Sequence, residues 1–189
     1  VIGGVPTTLA DLLHLSEPPP LPPDGRRICM AGGAQLTRGL QELVLRETGY
    51  PVHQVYGMTE TAAVIAATPR AEVPRLGSVG KPAPGIEVRI EGDDEVGEIC
   101  VRSRCVMLGY WQAPELTAEA IRDGWLYTGD LGYLDDDGYL YVVDRKKDLI
   151  IRGGFNVFPR DVEEALLEHP AVTAAGVVGR PDEAHGEEV

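Results

Sequence analysis

Residues 123–170 read DGWLYTGDLGYLDDDGYLYVVDRKKDLIIRGGFNVFPRDVEEALLEHP. The run Asp135-Asp136-Asp137-Gly138 separates two apolar stretches and predicts a hairpin turn, with a strand over 139–143. A calcium loop of the EF-hand type would space its acids at alternate positions and end on a distant Glu, which this run does not. Residues 141–143 and 149–151 are strand candidates joined by the charged segment Asp144-Arg145-Lys146-Lys147-Asp148. Pro159 opens a helix with Val162, Ala165 and Leu166 on one face, closed at His169-Pro170. A further strand is expected over 173–178. The order strand, charged joint, strand, glycine pair, helix, strand predicts the opening of an α+β unit.

Upstream, residues 74–143 are rich in Gly and Pro and their apolar runs are short. Ile86, Val88 and Ile90 alternate with Glu87 and Arg89, and 98–102 alternates again after the turn at 92–95, so two half-buried strands are expected in a small β subdomain. Residues 1–73 read as α/β. Thr7-Thr8-Leu9 leads into an apolar pattern through Leu12, Leu13 and Leu15. The proline run at 18–23 forces an extended spacer. Residues 27–31 form a strand candidate that ends at Gly32-Gly33-Ala34. Thr37 is placed to cap a helix carrying Leu40, Leu43 and Val44, which stops at Gly49.

Bulk properties exclude several classes. The 189 residues carry a formal net charge of −13, which argues against a nucleic-acid binder, whose phosphate contacts need a surplus of Lys and Arg. The cysteines, Cys29, Cys100 and Cys105, form no C-x-x-C pair. They are expected as buried small residues of a reducing, cytoplasmic protein rather than as a disulfide framework or zinc site. No apolar run approaches the ~20 residues of a membrane span, and the first residues do not read as a signal peptide.

Chemistry concentrates where glycine sits beside a functional side chain. No G-x-S-x-G, H-E-x-x-H, Walker A or G-x-G-x-x-G motif occurs. Four segments remain: Gly32-Gly33-Ala34, Tyr56-Gly57-Met58-Thr59-Glu60, Tyr127-Thr128-Gly129-Asp130, and 144–148 followed by Arg152-Gly153-Gly154. A Gly-Gly-Ala bend lets the backbone approach a flat ring closely. A Tyr can stack on a base. A Thr hydroxyl can donate to phosphate, and a carboxylate can hold the Mg²⁺ that also binds phosphate. An Asp can accept from two ribose hydroxyls, and an Arg can complete the contacts. Each segment taken alone reads first as a tight turn bearing a solvated polar residue.

Together and in this order these segments resemble the adenylate-forming enzymes: acyl- and aryl-CoA synthetases, firefly luciferase and the adenylation domains of peptide synthetases. VPTTLADLL (5–13), AGGAQL (31–36), QVYGMTE (54–60), LGSVGKPAPG (76–85), GEICVRS (97–103), GYW (109–111), the run 123–170 and VVGRPD (177–182) all look like that family's consensus segments. The resemblance implies the C-terminal part of a large AMP-binding domain followed by the start of a small α+β domain. Residues 1–73 would end the α/β subdomain, 74–143 would form the β subdomain, 144–148 the hinge and 149–189 an incomplete C-terminal domain.

The implied reaction is attack of a carboxylate on the α-phosphate of ATP, giving acyl-AMP, followed by transfer of the acyl group to CoA. By match to the motifs, Gly33 and Ala34 would lie along the adenine, Tyr56 would stack on it, and Gly57 would let the chain bend between contacts. Thr59 would touch the α-phosphate and Glu60 would hold Mg²⁺, the two forming the catalytic pair. Asp130 would bind the ribose hydroxyls with help from Arg145. Lys147 would be the hinge, and Gly153 and Gly154 would line the pantetheine path. The family's Ser/Thr/Gly-rich phosphate loop and its C-terminal catalytic lysine are not found in these residues, so an internal fragment with little or no activity by itself is expected. The small apolar surroundings at Gly57, Met58 and 61–64 favour a fatty or other apolar acid. The alternatives are an adenylation domain that loads a carrier protein's phosphopantetheine, and a non-catalytic nucleotide-binding remnant.

Overall fold

The computed structural model describes residues 2–13, 29–34, 36–92, 94–169 and 171–189. The proline run and the first residues of the strand expected over 27–31 lie outside them. Two compact units divide the chain. The first comprises Val1–Val88, Val101–Leu126 and Leu134–Tyr141, and the second Arg89–Cys100, Tyr127–Tyr133 and Val142–Val189.

The first unit opens with β1 (Ile2–Gly4), α1 (Pro6–Leu13), β2 (Cys29–Gly32), α2 (Arg38–Thr48) and β3 (Val52–Tyr56). β1, β2 and β3 are parallel neighbours, with Gly4 opposite Ala31 and Gly32 opposite Val55. β4 (Ala66–Ala67) and β5 (Lys81–Pro82) extend the sheet antiparallel. Parallel strands must be crossed over by helices, and those helices must bury an apolar stripe. Leu9 of α1 and Val44 of α2 join Cys29, Ala31, Leu36 and Val52 in one buried cluster, flanked by Leu12, Leu13 and Leu40. α2 has the ends its sequence calls for: Thr37 Oγ1 accepts the N–H of Leu40 at 3.2 Å, and Gly49 closes the helix at φ 72°.

The second sheet has the order β10-β9-β7-β6, built from β6 (Glu87–Glu91), β7 (Gly97–Arg102), β9 (Trp125–Leu134) and β10 (Leu140–Arg145). Between them, α3 (Pro114–Ala120) leads into β8 (Ile121–Arg122), which pairs with β9. α3 lies in a region read from sequence as a small β subdomain, where its seven residues, about two turns of helix, left little periodic signal. The alternation expected over 98–102 is corrected: 97–101 are all buried and only Arg102 is exposed. β7 lies inside the sheet, flanked by β9 and β6.

The triple-Asp hairpin forms as expected. Asp135 Oδ1 accepts the N–H groups of Asp137 and Tyr139 at 3.1 and 2.8 Å, closing the turn. Arg75 pairs with Asp135 at 2.8 Å and Asp137 at 2.6 Å while its guanidinium lies 4.0 Å above the Tyr139 ring. Tyr139 in turn donates to Glu72. That bond, with Lys81 and Arg75 nearby, holds the Glu72 carboxyl below its usual range. Burial pushes Asp135 the other way, but the Tyr139 and Asp137 amides and Arg75 outweigh it, and its carboxyl is also lowered. Carboxylates depressed in the folded state stabilise fully above the unfolded carboxylate pKa of ~4, and the contribution is lost as pH falls through their lower folded values. The thermal midpoint should therefore fall as pH drops from ~5 to ~3, and Glu72→Gln should flatten that slope. Equal slopes for both proteins in calorimetric scans would refute this coupling.

The second unit closes with β11 (Ile150–Arg152), β12 (Phe155–Val157), α4 (Pro159–Leu167), β13 (Arg180–Asp182) and β14 (Gly186–Glu188), whose strands order as β12-β11-β14-β13. The helix opened by Pro159 is α4. The strand expected over 173–178 is absent, and strand structure begins at Arg180. The segment has no ladder partner among the described residues. Val177 N–H instead donates to Glu163 Oε1 at 2.9 Å, and Val178 is 77 % exposed. Of the cysteines, Cys29 and Cys100 are buried as expected, whereas Cys105 is exposed.

Candidate functional site

In the first unit, β1, β2 and β3 point their C-terminal ends the same way, at Gly4, Gly32 and Tyr56. Ligands of open α/β sheets bind beyond the carboxyl ends of the parallel strands. Gly33 and Ala34 directly follow β2, both exposed, with Gly33 at φ 77°. Tyr56 is the last residue of β3 and Gly57 follows it. Register thus places the Gly33-Ala34 bend and the Tyr56-to-Glu60 run on adjacent strand ends.

After Gly57 the chain makes a tight loop. Thr59–Thr61 form a single 3₁₀ turn. Thr61, 1 % exposed, spends its hydroxyl on that turn, donating to Met58 O at 3.0 Å and accepting Met58 N–H at 3.4 Å. Ala62 and Ala63 sit at φ 54° and 92°, conformations costly for alanine. The loop returns along its own start: Ala63 N–H bonds Met58 O at 3.1 Å and Ile65 N–H bonds Tyr56 O at 2.8 Å. A Cβ on Gly57 would lie 1.8 Å from Ala63 O. Only glycine permits this approach.

The strained loop presents Thr59 and Glu60. Thr59 is exposed, and its hydroxyl makes no hydrogen bond among the described residues. Glu60 is half-buried and held at both ends: its carbonyl accepts Met107 N–H at 2.7 Å and its Oε1 accepts the Tyr110 hydroxyl at 2.9 Å. That hydrogen bond, with burial, raises the Tyr110 phenol above its ordinary pKa. Glu60 Oε2 carries no hydrogen bond among the described residues. One such oxygen fits Mg²⁺, which is usually held by one or two carboxylates plus substrate phosphates and water.

The second unit carries the other site residues of the sequence reading. Gly129, at φ 74°, kinks β9 and brings Asp130 after it. Thr128 Oγ1 donates to Ile99 O at 2.8 Å and accepts Asp130 N–H at 3.1 Å. Glu98, 8 % exposed, binds the Gly129 N–H through Oε1 at 3.1 Å and Lys146 Nζ through Oε2 at 2.7 Å. Arg145 Nε lies 3.5 Å from Asp130 Oδ1. Lys147 is exposed in the 3₁₀ turn Lys146–Asp148. Gly153 and Gly154, at φ 57° and 86°, form the two-residue turn between β11 and β12, a hairpin geometry that requires positive φ at both positions. This turn chemistry explains the glycine pair without any ligand.

Sequence reasoning missed Glu98 and Tyr110. Glu98 read as the outward residue of an alternating strand, and only β7's internal place in the sheet reveals it. Tyr110 stood in the GYW segment, but its pairing with a residue fifty positions away has no local signal. A second cluster of ligand atoms, Asp182, His185 and Glu188, is already engaged: Asp182 caps the Ala184 and His185 amides, and Glu188 pairs with Arg152 at 2.8 Å.

A family model described as AMP-binding enzyme matches residues 1–111. The chain is 51 % identical over 172 residues to 2-succinylbenzoate–CoA ligase of Geobacillus kaustophilus, covering 87 % of this chain and 35 % of that protein. It is 40 % identical over 194 residues to long-chain-fatty-acid–CoA ligase of Bacillus subtilis, covering 98 % and 35 %. Among solved structures, o-succinylbenzoate CoA synthetase of Bacillus subtilis in complex with its acyl-adenylate intermediate superposes with a TM-score of 0.85 at 44 % identity, covering 98 % of this chain and 39 % of that one. The same synthetase is known in complex with ATP and magnesium ion. The chain therefore spans little more than a third of the length of the relatives it matches. The α/β fold expected from sequence is the fold observed. Among the described residues, no helix is long and apolar enough to cross a membrane.

Proposed function

The chain belongs to the AMP-binding enzyme family, and from that premise we propose that it is the nucleotide-gripping part of a longer acid–CoA ligase. The observation that carries this reading is the loop after β3, where Thr59 and Glu60 follow the parallel strand end in one 3₁₀ turn and, among the described residues, the Thr59 hydroxyl and Glu60 Oε2 make no hydrogen bond.

In the proposed reaction a substrate carboxylate oxygen attacks the α-phosphorus of ATP, the bond to the β-phosphate oxygen breaks, and pyrophosphate leaves. The CoA thiolate then attacks the acyl carbon, AMP leaves, and the thioester forms. Tyr56 stacks on adenine with Gly33 and Ala34 along its edge. Thr59 donates to the α-phosphate as charge builds there. Glu60 offers Oε2 to Mg²⁺, which when bound neutralises phosphate charge. Asp130 accepts from the ribose hydroxyls and Arg145 adds positive charge beside it. Lys147 serves as the pivot, and Gly153 and Gly154 flank the pantetheine arm. We assign 1–73 and 74–143 to the large domain, 144–148 to the hinge and 149–189 to the small domain.

For the acyl group, 51 % identity to a 2-succinylbenzoate ligase favours an aromatic dicarboxylic acid of that kind over the fatty acid read from the apolar residues at 61–64. The 40 % identity to a fatty-acid ligase is weaker support for the latter. In the full-length ligase containing this chain, ATP–pyrophosphate exchange should depend on 2-succinylbenzoate and be at least tenfold slower with palmitate. Exchange with neither acid would overturn the reading. Exchange with palmitate alone would overturn only the choice of substrate.

A further inference from the structure

We propose that Tyr110 is a positioning residue for the metal site: its hydroxyl holds Oε1 of the Glu60 carboxylate and so favours presentation of Oε2 to the divalent cation. The inference rests on the proposed role of Glu60 and extends it to a residue of a different segment.

The segment carrying Tyr110 is built around Glu60. Met107 N–H holds the Glu60 carbonyl at 2.7 Å, and three residues on the Tyr110 hydroxyl holds Oε1 at 2.9 Å. Tyr110 is itself fixed from behind. Its N–H donates to Thr117 Oγ1 at 2.9 Å, and Thr117 donates to Ala113 O at 2.9 Å at the start of α3. Gly109 packs against the same Thr117, since a Cβ there would come within 2.8 Å of it. The first turn of α3 thus anchors the phenol that orients the acid.

Mg²⁺ demands near-ideal octahedral geometry and takes carboxylates in a fixed direction. A carboxylate free to rotate would present either oxygen or both. With Oε1 holding a hydrogen bond from Tyr110, rotation about the last side-chain torsion is restrained, and ligation of a cation through Oε2 would be favoured. Partners of this kind typically change metal affinity 10- to 100-fold when removed. A Tyr placed only to stitch two loops would affect stability and leave the metal untouched.

The test uses the full-length ligase with Mn²⁺ as the spectroscopic probe in the presence of ATP, read by electron paramagnetic resonance, together with the Mg²⁺ dependence of pyrophosphate exchange. Tyr110→Phe should weaken nucleotide-dependent Mn²⁺ binding about tenfold. It should raise the half-saturating Mg²⁺ concentration by a similar factor, with kcat largely recovered at saturating Mg²⁺ and the thermal midpoint little changed. In a Glu60→Gln background, Tyr110→Phe should add nothing to the loss. Unchanged Mn²⁺ affinity in Tyr110→Phe, or a loss of kcat that Mg²⁺ does not restore, overturns the positioning role while leaving the proposed function standing. Absence of nucleotide-dependent Mn²⁺ binding in the unmutated ligase overturns both. Thr117→Val, which removes the acceptor of the Tyr110 N–H and keeps the Tyr110 hydroxyl, supplies a second route: a smaller shift of the same sign supports the role, and an unshifted Mg²⁺ requirement counts against it.

Discussion

Gly57→Ala is expected to lower the thermal midpoint of the ligase by about 10 °C and to abolish most pyrophosphate exchange. The new methyl group would lie 1.8 Å from Ala63 O, 2.5 Å from Ala63 C and 2.8 Å from Val64 Cα, all backbone atoms. No rotamer can relieve the overlap, so 62–64 must move. Moving them breaks the Ala63–Met58 and Ile65–Tyr56 bonds and displaces residues already held at positive φ. Overpacking costs about 1–3 kcal/mol and each lost backbone bond about 1 kcal/mol, against total stabilities of about 5–15 kcal/mol. Gly39→Ala is the control. Gly39 lies in α2 with nothing within 4 Å of its would-be Cβ and no positive φ, so that change should be neutral or gain up to about 1 kcal/mol. Equal midpoints for the two variants would remove the close approach as the reason for glycine at position 57.

The same loop shows what could be read in the sequence and what could not. The residue types of QVYGMTE (54–60) alone are as readable as a tight turn, and they point to a ligand only together with the other glycine-bearing segments in that order. That Thr61 is structural while Thr59 faces outward could not be read, because the two differ only in their place on a 3₁₀ turn. Helix ends were legible where side chains act locally: Thr37 and Gly49 bound α2 as their chemistry requires. Burial set by tertiary neighbours was not. Glu98 looks like any solvent-facing strand residue until β9 and β6 enclose it, and the run 173–178 looks like a strand, yet among the described residues no neighbouring strand pairs with it. Gly153-Gly154 was legible as a site only through resemblance, while its hairpin geometry gives the pair a purely local reason to exist.

Asp130→Ala is the second large effect, and its comparison with Arg145→Ala separates a binding carboxylate from a surface ion pair. Asp130 is held in place by its own N–H on Thr128 Oγ1 and by the neighbouring Gly129 N–H on the buried Glu98, and its side chain is 14 % exposed. With the backbone fixed in this way, the carboxylate has only its own side-chain torsions to lose on accepting two ribose hydroxyls. Hydrogen bonds to a charged group contribute about 1.5–3 kcal/mol each. At the low end, two of them amount to about 3 kcal/mol, or roughly a hundredfold in affinity. The Arg145 pair is different: the separation is 3.5 Å and the Arg side chain is 64 % exposed, so solvent screening limits it to about 1 kcal/mol, a factor of about five. Calorimetric titration of the full-length ligase with AMP should therefore show a loss of about two orders of magnitude for Asp130→Ala and less than one for Arg145→Ala. The assignment to ribose makes a sharper demand. The unmutated ligase should bind 2′-deoxy-AMP about tenfold more weakly than AMP, whereas Asp130→Ala should no longer distinguish them. A variant that still prefers AMP over its deoxy analogue would place the ribose contact on another residue and leave Asp130 a strand residue paired with Arg145.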